Sequence, residues 1–224
     1  MDKSTNPQLA IYAAGGLGTE ILALIGAINR QSPTWTVVGF FDDDLSRKGE
    51  EVMGYTVLGG LDELNVWKEE LALVVAVGNP EIRKKLAAGI TNQKITFPKL
   101  IHPTAVLDDP ESIVIGQGVV ITAGCVLTTN IAIGDYCLFN LNTTCGHGVK
   151  IGDFSAIMPG VNIAGEVTIE ENVFIGSGAN ILNGRKIGAG SFIGAGSVVN
   201  KDIPPNSTAV GVPARVIKTN STDT

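Results

Sequence analysis

The side chain of this sequence best suited to acid–base chemistry is His147, one of only two histidines among 224 residues. An imidazole has an unperturbed pKa of about 6.5, so it can accept a proton at neutral pH. Such a group can act as general base when an amine or a hydroxyl attacks a carbonyl carbon. The other histidine, His102, precedes Pro103, where we expect a structural role at a junction. The structure that holds His147 therefore decides what chemistry the chain can perform.

Residues 115–199 surround His147 and repeat with a period of six. An α-helix repeats about every 3.6 residues and a strand every two, so neither explains this period. A fixed six-residue repeat is typical of a parallel β-helix, in which each unit forms one short strand and one corner. Three units make a coil of eighteen residues, and neighbouring coils pair their backbones. Without interruption, every sixth residue is apolar: Ile115, Ile121, Leu127, Ile133, Phe139, Cys145, Ile151, Ile157, Ile163, Ile169, Ile175, Ile181, Ile187, Ile193 and Val199.

Two positions of each unit are predicted to point inward: the sixth-position residue and the residue four places after it, which is usually small or apolar. Cys125, Cys137 and Cys145 all fall on inward positions, so we expect buried free thiols rather than a disulfide or a zinc site. The residue after the apolar one is often glycine, and we expect it to supply the positive φ of a tight corner. His147 lies at a corner, so its ring should point outward, where solenoids build their sites.

Residues 1–98 follow a different pattern, typical of a Rossmann-like α/β domain. Residues 9–13 and 36–41 are predicted strands that flank a glycine-rich turn and a helix starting at Thr19, and an acidic run follows the second strand. We also predict strands at 55–58 and 71–77 and helices at about 61–69 and 80–88. Ligands in such sheets bind at the carboxyl ends of the strands. We therefore expect one crevice, lined by Gly15, Gly16, Gly18, Asp42, Asp43, Gly78 and Asn79.

These patterns divide the chain into a Rossmann-like domain at 1–98, a β-helix at 99–218 and a polar tail at 219–224 that we expect to be disordered. A net charge of −6 and a pI near 4.9 argue against a nucleic-acid partner, which needs a basic face. The start of the sequence lacks the apolar segment of a signal peptide, and the longest strongly apolar run, 71–77, is too short to span a membrane. We therefore expect a cytoplasmic protein.

The segment around His147 resembles one subfamily of the hexapeptide-repeat sugar acyltransferases. Residues 140–154, NLNTTCGHGVKIGDF, are similar to its N-x6-H-[DE]-x2-[IL]-G-[DE]-[FY] motif, and residues 211–215, GVPAR, to the segment after its repeat. The subfamily includes bacillosamine- and perosamine-type N-acetyltransferases and sialic-acid O-acetyltransferase-like proteins, in which a small Rossmann-like domain precedes the repeat. The resemblance implies a left-handed parallel β-helix.

In that subfamily the histidine is the proposed general base and the asparagine seven residues before it lines the acceptor site. The resemblance thus implies these roles for His147 and Asn140, with direct transfer from acetyl-CoA and no acyl-enzyme. One position departs from the motif, because the subfamily usually has Asp or Glu directly after the histidine and this chain has Gly148. A regular coil of eighteen residues places Glu166 next to Gly148. We hypothesise that Glu166 supplies the missing carboxylate.

The resemblance also implies a nucleotide-sugar acceptor in the first domain, and coenzyme A in a groove between two β-helices of a homotrimer. The glycines and the helix start at Thr19 would receive the diphosphate, because a helix N-terminus favours anions. Asp42 or Asp43 would bind the ribose or the base. Arg185 occupies an inward position, so we expect its charged side chain to turn outward. The candidates for the coenzyme A groove are Gly178, Gly196, Arg185, Lys186 and Arg215.

The leading function is acetyl-CoA-dependent N-acetylation of a nucleotide-linked 4-amino-4,6-dideoxy sugar, and the nucleotide stays open between UDP, GDP and dTDP. O-acetylation of a sugar such as sialic acid also stays open, because no residue separates an amine from a hydroxyl acceptor. A non-catalytic protein that only binds a nucleotide sugar would explain Gly148. A carbonic-anhydrase-like metalloenzyme would need three histidine ligands, so we expect no metal site. A dinucleotide oxidoreductase would need a second catalytic domain.

Overall fold

The computed structural model describes residues 6–219, and its first part is an α/β domain built on one six-stranded sheet. Strands and helices alternate as the sequence predicts, and the apolar runs form the buried strands. A single 3-10 turn, Leu45–Arg47, follows the second strand. The elements are β1 (Gln8–Tyr12), α1 (Gly16–Gln31), β2 (Thr36–Phe41), β3 (Glu51–Val52), β4 (Tyr55–Gly59), α2 (Leu61–Asn65), β5 (Leu71–Val75), α3 (Pro80–Gly89) and β6 (Ile95–Thr96).

The strand order of this sheet is β3-β4-β2-β1-β5-β6. Five strands are parallel, and only β3 pairs antiparallel, with its neighbour β4. Alternate residues of the central strand β1 point to opposite faces: Leu9 and Ile11 pack with α1, whereas Tyr12 packs with Leu64 of α2. Because β2, β1 and β5 are parallel neighbours, the loops that follow them lie side by side at one edge.

Three details differ from the sequence prediction. Helix α1 begins at Gly16, three residues before Thr19, because the glycine-rich turn itself forms the first helical turn. Helix α2 ends at Asn65 rather than near residue 69, and Trp67 leaves the helix to pack edge-on against Phe41, with ring centroids 5.8 Å apart. Strands β3 and β6 contain two residues each, too few to leave a periodic pattern.

From Leu100 the chain winds into a three-sided parallel β-helix, and the predicted domain boundary at 98/99 falls in the connection after β6. From β9 to β20, each strand pairs with the strand one coil on, eighteen residues later; Phe139, for example, pairs with Ile157. The first coil is longer, and β7 and β8 pair with strands twenty residues later. The strands are β7 (Leu100–Ile101), β8 (Val106–Leu107), β9 (Val114–Ile115), β10 (Val120–Ile121), β11 (Val126–Leu127), β12 (Ala132–Ile133), β13 (Leu138–Phe139), β14 (Thr144–Cys145), β15 (Lys150–Ile151), β16 (Ala156–Ile157), β17 (Asn162–Ile163), β18 (Thr168–Ile169), β19 (Phe174–Ile175), β20 (Asn180–Ile181), β21 (Lys186–Ile187), β22 (Phe192–Ile193) and β23 (Val198–Val199).

These strands form three faces, which meet at three corners. The first face contains β7, β10, β13, β16, β19 and β22, the second β8, β11, β14, β17, β20 and β23, and the third β9, β12, β15, β18 and β21. We call the junction of the first and second faces the first corner (for example residues 140–143). The second corner joins the second and third faces (residues 146–149), and the third corner joins the third and first faces (residues 152–155).

The corners place their glycines for a reason other than the one predicted. The positive φ falls three residues after the apolar position, at every unit from Gly118 to Gly196, and six of these fourteen residues are not glycine. The glycines directly after the apolar residue have no positive φ. They are needed for close approach: a Cβ on Gly152 would lie 2.5 Å from the backbone nitrogen of Glu171 in the next coil. Stacking between coils, rather than backbone twist, therefore excludes a side chain there.

The interior of the prism is filled by the two predicted inward positions. The sixth-position residues are buried, apart from the half-buried Ile115 near the first coils, and the residues four places later are buried apart from Arg185. Cys125, Cys137 and Cys145 are free thiols in this core. Burial raises the pKa of Cys137 and of Cys145 to about 12, so neither thiol is a nucleophile at neutral pH.

The β-helix ends in an antiparallel pair, β24 (Ser207–Val210) and β25 (Arg215–Thr219), of which β24 continues the first face. Ile203 is buried and bridges to Ile187, so the third face extends beyond Val199. Thr219, the first residue of the tail predicted to be disordered at 219–224, instead pairs with Ser207. Residues 220–224 lie outside the described residues.

The α/β domain sits on the first face of the β-helix. Leu100, Val120 and Leu138 point outward from this face and join the same apolar cluster as Leu9 and Ile11. The outward residues of the first face are therefore apolar for three coils, because another domain covers them. Further along the same face Phe174 and Phe192 stack on each other, with ring centroids 4.8 Å apart.

Candidate active site

His147 projects from the second corner, and its side chain is 60% exposed. Its Nδ1 lies 3.3 Å from Oε1 of Glu166, which belongs to the same corner one coil later. The backbone supports this contact, because the amide of Glu166 donates to the carbonyl of His147 at 2.8 Å. The structure thus brings together two of the three residues predicted to be catalytic, and it does so through the stacking of two coils.

Each of these two side chains lies over a glycine of the adjacent coil. The imidazole of His147 covers Gly165, where a Cβ would lie 2.5 Å from Nε2. The carboxylate of Glu166 covers Gly148, where a Cβ would lie within 2.4 Å of Oε1. Gly148 is therefore the residue on which Glu166 rests. Its lack of a side chain makes room for the carboxylate.

Asn140 lies on a different edge of the prism, the first corner, and strand β14 separates it from His147. It is 8% exposed, and its Oδ1 accepts a hydrogen bond from the amide of Leu141 at 2.8 Å. Within one chain the structure does not bring Asn140 and His147 together. A shared site would require the first corner of one chain to face the second corner of another.

A cavity of about 320 Å³ lies between α1 and the first corner, next to Leu141. Arg30 and His102 line it, together with Thr122, whose buried hydroxyl makes no hydrogen bond with the described residues. Burial, with a smaller contribution from Arg30, lowers the pKa of His102. Its Nδ1 accepts from the amide of Thr104 at 3.1 Å, so His102 stabilises the turn between β7 and β8 in the first coil.

The glycine-rich turn after β1 offers open backbone amides. A Cβ on Gly15 or Gly16 would meet no atom within 4 Å, and helix α1 starts here with its positive dipole end exposed. Gly18, in contrast, is needed for packing, because a Cβ there would lie 2.1 Å from the carbonyl oxygen of Ala13. Ala13 has a φ of 83°, so the turn takes the left-handed conformation that glycine usually supplies. An anion can therefore approach Gly15 and Gly16, whereas Gly18 seats the helix.

The two predicted acidic ligands already hold parts of the loop. Asp42 accepts from the amide of Ala14 through Oδ2 at 2.8 Å and also contacts Arg47 at 3.4 Å. Asp43 accepts from the hydroxyl of Tyr12 through Oδ1. Burial, followed by this hydrogen bond, raises the pKa of Tyr12. Asp42 thus supports the glycine-rich turn, and Oδ2 of the exposed Asp43 accepts no hydrogen bond from the described residues.

Gly78 and Asn79 lie in the loop after β5, at the same edge of the sheet as the glycine-rich turn, and Asn79 caps α3 by accepting from the amide of Ile82 at 3.1 Å. Arg83, which no sequence pattern singled out, anchors this loop. Its side chain is buried and donates to Val77 and Gly78 in the loop, and to Tyr136, Phe154 and Ser155 at the third corner of the β-helix. A lone arginine in an ordinary helical segment leaves no signal in the sequence. Burial lowers its pKa to about 10, so the guanidinium stays charged at neutral pH.

The candidates for the coenzyme A groove lie in four separate places on the β-helix domain. Gly178 and Gly196 are exposed at the first corner, and a Cβ on either would meet no atom within 4 Å. Arg185 turns outward at the second corner, as predicted, 3.8 Å from Asp202. Lys186 pairs with Glu170 on the third face, and Arg215 lies exposed at the start of β25. The structure therefore does not gather these residues into one surface of a single chain.

Comparison with known proteins decides the family. The model of the PglD N-terminal domain matches residues 8–90, the six-repeat bacterial transferase hexapeptide model matches 148–183 and 166–201, and the hexapeptide repeat of succinyl-transferase matches 106–129. The GDP-perosamine N-acetyltransferase of Escherichia coli O157:H7 is 33% identical over 172 residues, which cover 76% of each chain.

The chain belongs to the hexapeptide-repeat sugar acyltransferases. Among solved members, the acetyltransferase domain of PglB from Neisseria gonorrhoeae FA1090 is 32% identical, with a TM-score of 0.86, and covers 95% of this chain and 100% of that one. The same domain has also been solved with acetyl coenzyme A. PerB from Caulobacter crescentus, solved with CoA and GDP-perosamine, is 30% identical with a TM-score of 0.86 and covers 96% of this chain and 99% of that one.

These relatives confirm three predictions for this acyltransferase: a Rossmann-like domain followed by a left-handed β-helix, the enzyme class, and acetyl-CoA as co-substrate. Among residues 6–219, none of the helices has the length and apolar character needed to cross a membrane. The same residues hold no cluster of three or more His, Cys, Asp or Glu side chains suited to a metal ion.

Proposed function

We propose that this acyltransferase moves the acetyl group of acetyl-CoA to the amino group of a nucleotide-linked 4-amino-4,6-dideoxy sugar. The observation that carries the proposal is the contact between His147 and Glu166 on an exposed corner of a β-helix. A base on an open edge can reach two large substrates, whereas a buried base cannot. The perosamine N-acetyltransferases among the relatives support an amino-sugar acceptor.

The proposed reaction is a single displacement assisted by His147. The amine nitrogen attacks the thioester carbonyl carbon, and a carbon–nitrogen bond forms. Nε2 of His147 accepts the proton that the amine loses. The carbon–sulfur bond then breaks, and the thiolate takes up the proton, so the products are an amide and coenzyme A. No cysteine takes part, because burial raises the pKa of Cys145 to about 12.

In this proposal Glu166 holds the imidazole so that Nδ1 faces the carboxylate and Nε2 faces the acceptor. Both side chains are about three-fifths exposed, so the pair adds little to stability in one chain in water. The contact becomes stronger when the substrates exclude water from the corner. Its main effect is therefore on the orientation of the base during the reaction.

For the acceptor, the proposed nucleotide site is the crevice at the ends of β1, β2 and β5. The open amides of Gly15 and Gly16 at the start of α1 suit a diphosphate. The free carboxylate oxygen of Asp43 suits a ribose hydroxyl or a base. Asp42, Gly18, Gly78 and Asn79 contribute by shaping the loops, through the contacts described above.

We further propose that the enzyme acts as a homotrimer and binds coenzyme A between neighbouring β-helices. Asn140 would then meet His147 of an adjacent chain, because the two residues occupy different corners of the same prism. Gly178 and Gly196 would likewise face Arg185 and Lys186 across the groove, with Arg215 near its end. Light scattering combined with chromatography tests this assembly, and a monomer with full activity would contradict it.

The test of the proposed function is thiol release from acetyl-CoA with a panel of UDP-, GDP- and dTDP-linked 4-amino-4,6-dideoxy sugars. We expect release with one of them and a loss of about 10²-fold or more in His147→Ala. The matched control is His102→Asn, which changes the other histidine of the chain and should keep most of the activity. If only hydroxyl sugars support release, the enzyme is an O-acetyltransferase. If nucleotide sugars bind without release, the protein is a binding protein.

A further inference from the structure

The second corner contains a diagonal arrangement of two side chains and two glycines. In one coil His147 is followed by Gly148, and in the next coil Gly165 is followed by Glu166. The ring of His147 lies over Gly165, and the carboxylate of Glu166 lies over Gly148. Each coil thus contributes one functional side chain and one glycine. The side chain of one coil occupies the space over the glycine of the other.

Neither gap tolerates a side chain while both groups keep their places. A Cβ on Gly165 would lie 2.5 Å from Nε2 and 2.7 Å from Cε1 of His147. A Cβ on Gly148 would lie 2.4 Å from Oε1 and 2.7 Å from Cδ of Glu166. Nε2 is the nitrogen that faces the acceptor in the proposed reaction, so Gly165 also decides how close a substrate can come.

The sequence distinguishes Gly165 from the rest of the repeat. Fourteen residues between Gln117 and Ala195 share its place in the six-residue unit, two after the apolar position, and Gly165 is the single glycine among them. It stands one coil, or eighteen residues, after His147. Most corners place other side chains there without difficulty, so the general geometry of the fold does not demand a glycine at this place. The ring of His147 does.

Gly148 has a counterpart at another corner, with the same backbone conformation and a polar side chain over it. Gly124, at the first corner, also has a positive φ, 72°, and a Cβ there would lie 2.1 Å from Oδ1 of Asn142. A polar side chain folded over a glycine is therefore a general feature of these corners. At the second corner the side chain is a carboxylate, and it lies beside an imidazole.

We propose that Gly148 and Gly165 are positioning residues, which let a carboxylate from the following coil orient His147. In the resembling enzymes the acidic residue stands directly after the histidine. Here Glu166 lies one coil along, and Gly148 leaves room for its carboxylate. This inference rests on the proposed function, since it explains how the proposed base is held. It requires that an acidic side chain at position 148 and the side chain of Glu166 cannot both fit at this corner.

The kinetic test uses thiol release with the acceptor found above. We expect Gly165→Ala and Gly148→Ala to lower kcat/KM by about 10-fold or more, since a small misplacement of a catalytic group has a large effect on rate. Gly124→Ala, the matched control, should lower the melting temperature by a similar amount and change kcat/KM by less than about two-fold. If all three variants lose equal stability and keep their activity, the proposal is wrong.

A swap of the carboxylate tests the proposed exclusion. Gly148→Asp alone should lose activity because it crowds Glu166, and Glu166→Gly alone should lose activity because the carboxylate is gone. The double variant Gly148→Asp/Glu166→Gly should recover at least about five-fold over either single variant, as coupled neighbours do. A double variant no better than the worse single variant would overturn the proposal.

A spectroscopic readout separates this inference from the proposed function. In a His102→Asn background His147 is the one remaining histidine, so its ¹⁵N signals report the tautomer directly. We expect Nδ1–H to dominate, and to lose this dominance in Glu166→Gln and in Gly165→Ala. This result does not depend on turnover, so it holds even if no acceptor in the panel reacts. An unchanged tautomer in both variants would sink the inference while leaving the acyltransferase reaction intact.

Discussion

The two candidate sites of this enzyme are built in opposite ways. At the second corner of the β-helix, the groups that meet are set by coil spacing: residues eighteen apart stack, so His147, Gly148, Gly165 and Glu166 form one cluster. In the α/β domain the crevice residues come from separate loops, and several already hold those loops in place. Asp42 supports the amide of Ala14, and Asn79 caps α3. In the β-helix the stacked backbone fixes the geometry, so the side chains are available for chemistry. In the loop site the same side chains also hold the backbone in place.

The largest expected effect tests whether the β-helix acts as a rigid support. Phe139 fills the interior with no exposure, and its replacement by alanine should lower the free energy of unfolding by about 3–5 kcal/mol. Leu182→Ala, at a position 45% exposed, should stay within about 0.5 kcal/mol. Urea denaturation measures both. Equal small effects would mean that the coils bear little of the stability.

The next effect concerns the contact that joins the two regions. Arg83→Met removes the donor to five carbonyls, in the loop after β5 and at the third corner, and leaves those carbonyls without this partner. We expect a loss of about 2–4 kcal/mol. Lys84→Met is the matched control, because its surface pair with Glu171, 3.5 Å apart, should contribute less than about 1 kcal/mol. A rise in acceptor KM in Arg83→Met, with kcat kept, would show that the link also positions the loop.

Asp42 and Asp43 are neighbours, but we expect their replacement to change different properties, the stability and the acceptor KM. Asp43→Asn should raise the acceptor KM by about ten-fold with little change in stability, because its free oxygen is proposed to bind the nucleotide. Asp42→Ala should lower stability by about 1–2 kcal/mol, because the amide of Ala14 loses its acceptor. Isothermal titration and thermal unfolding separate the two. If Asp42→Ala affects only KM, its structural role is wrongly assigned.

The smallest effect is a pH dependence of the α/β domain. The hydrogen bond from Lys48, and then the amide of Gly60, lower the pKa of Glu63 to about 2. Because the folded pKa is lower than the unfolded one, this stabilisation is present above pH 4.5 and is lost as the pH falls towards 2. Glu63→Gln should therefore narrow the difference in melting temperature between pH 6 and pH 3. Glu70→Gln, an exposed glutamate, should leave that difference as it is.

Much of the β-helix could be predicted because its contacts are periodic. The sixth-position residues are inward, the coil contains eighteen residues, and Glu166 lies against Gly148 as the spacing predicts. The reason for the glycines directly after the apolar residues was predicted wrongly. These glycines have an ordinary backbone conformation. A side chain is excluded there by the backbone of the next coil, and the pattern within one repeat unit does not show that contact. The catalytic roles of His147, Asn140 and Glu166 stay predictions.

The sequence by itself determined the order of domains, the faces of the prism and the outward place of His147, because each follows from a local period or from a fixed eighteen-residue step. The tertiary structure decided what meets between distant loops. It showed that Arg83 joins the loop after β5 to the third corner and that Asp42 supports the glycine-rich turn. These contacts join residues far apart in the chain. They depend on how the loops and the two domains pack, and no period along the chain encodes that packing.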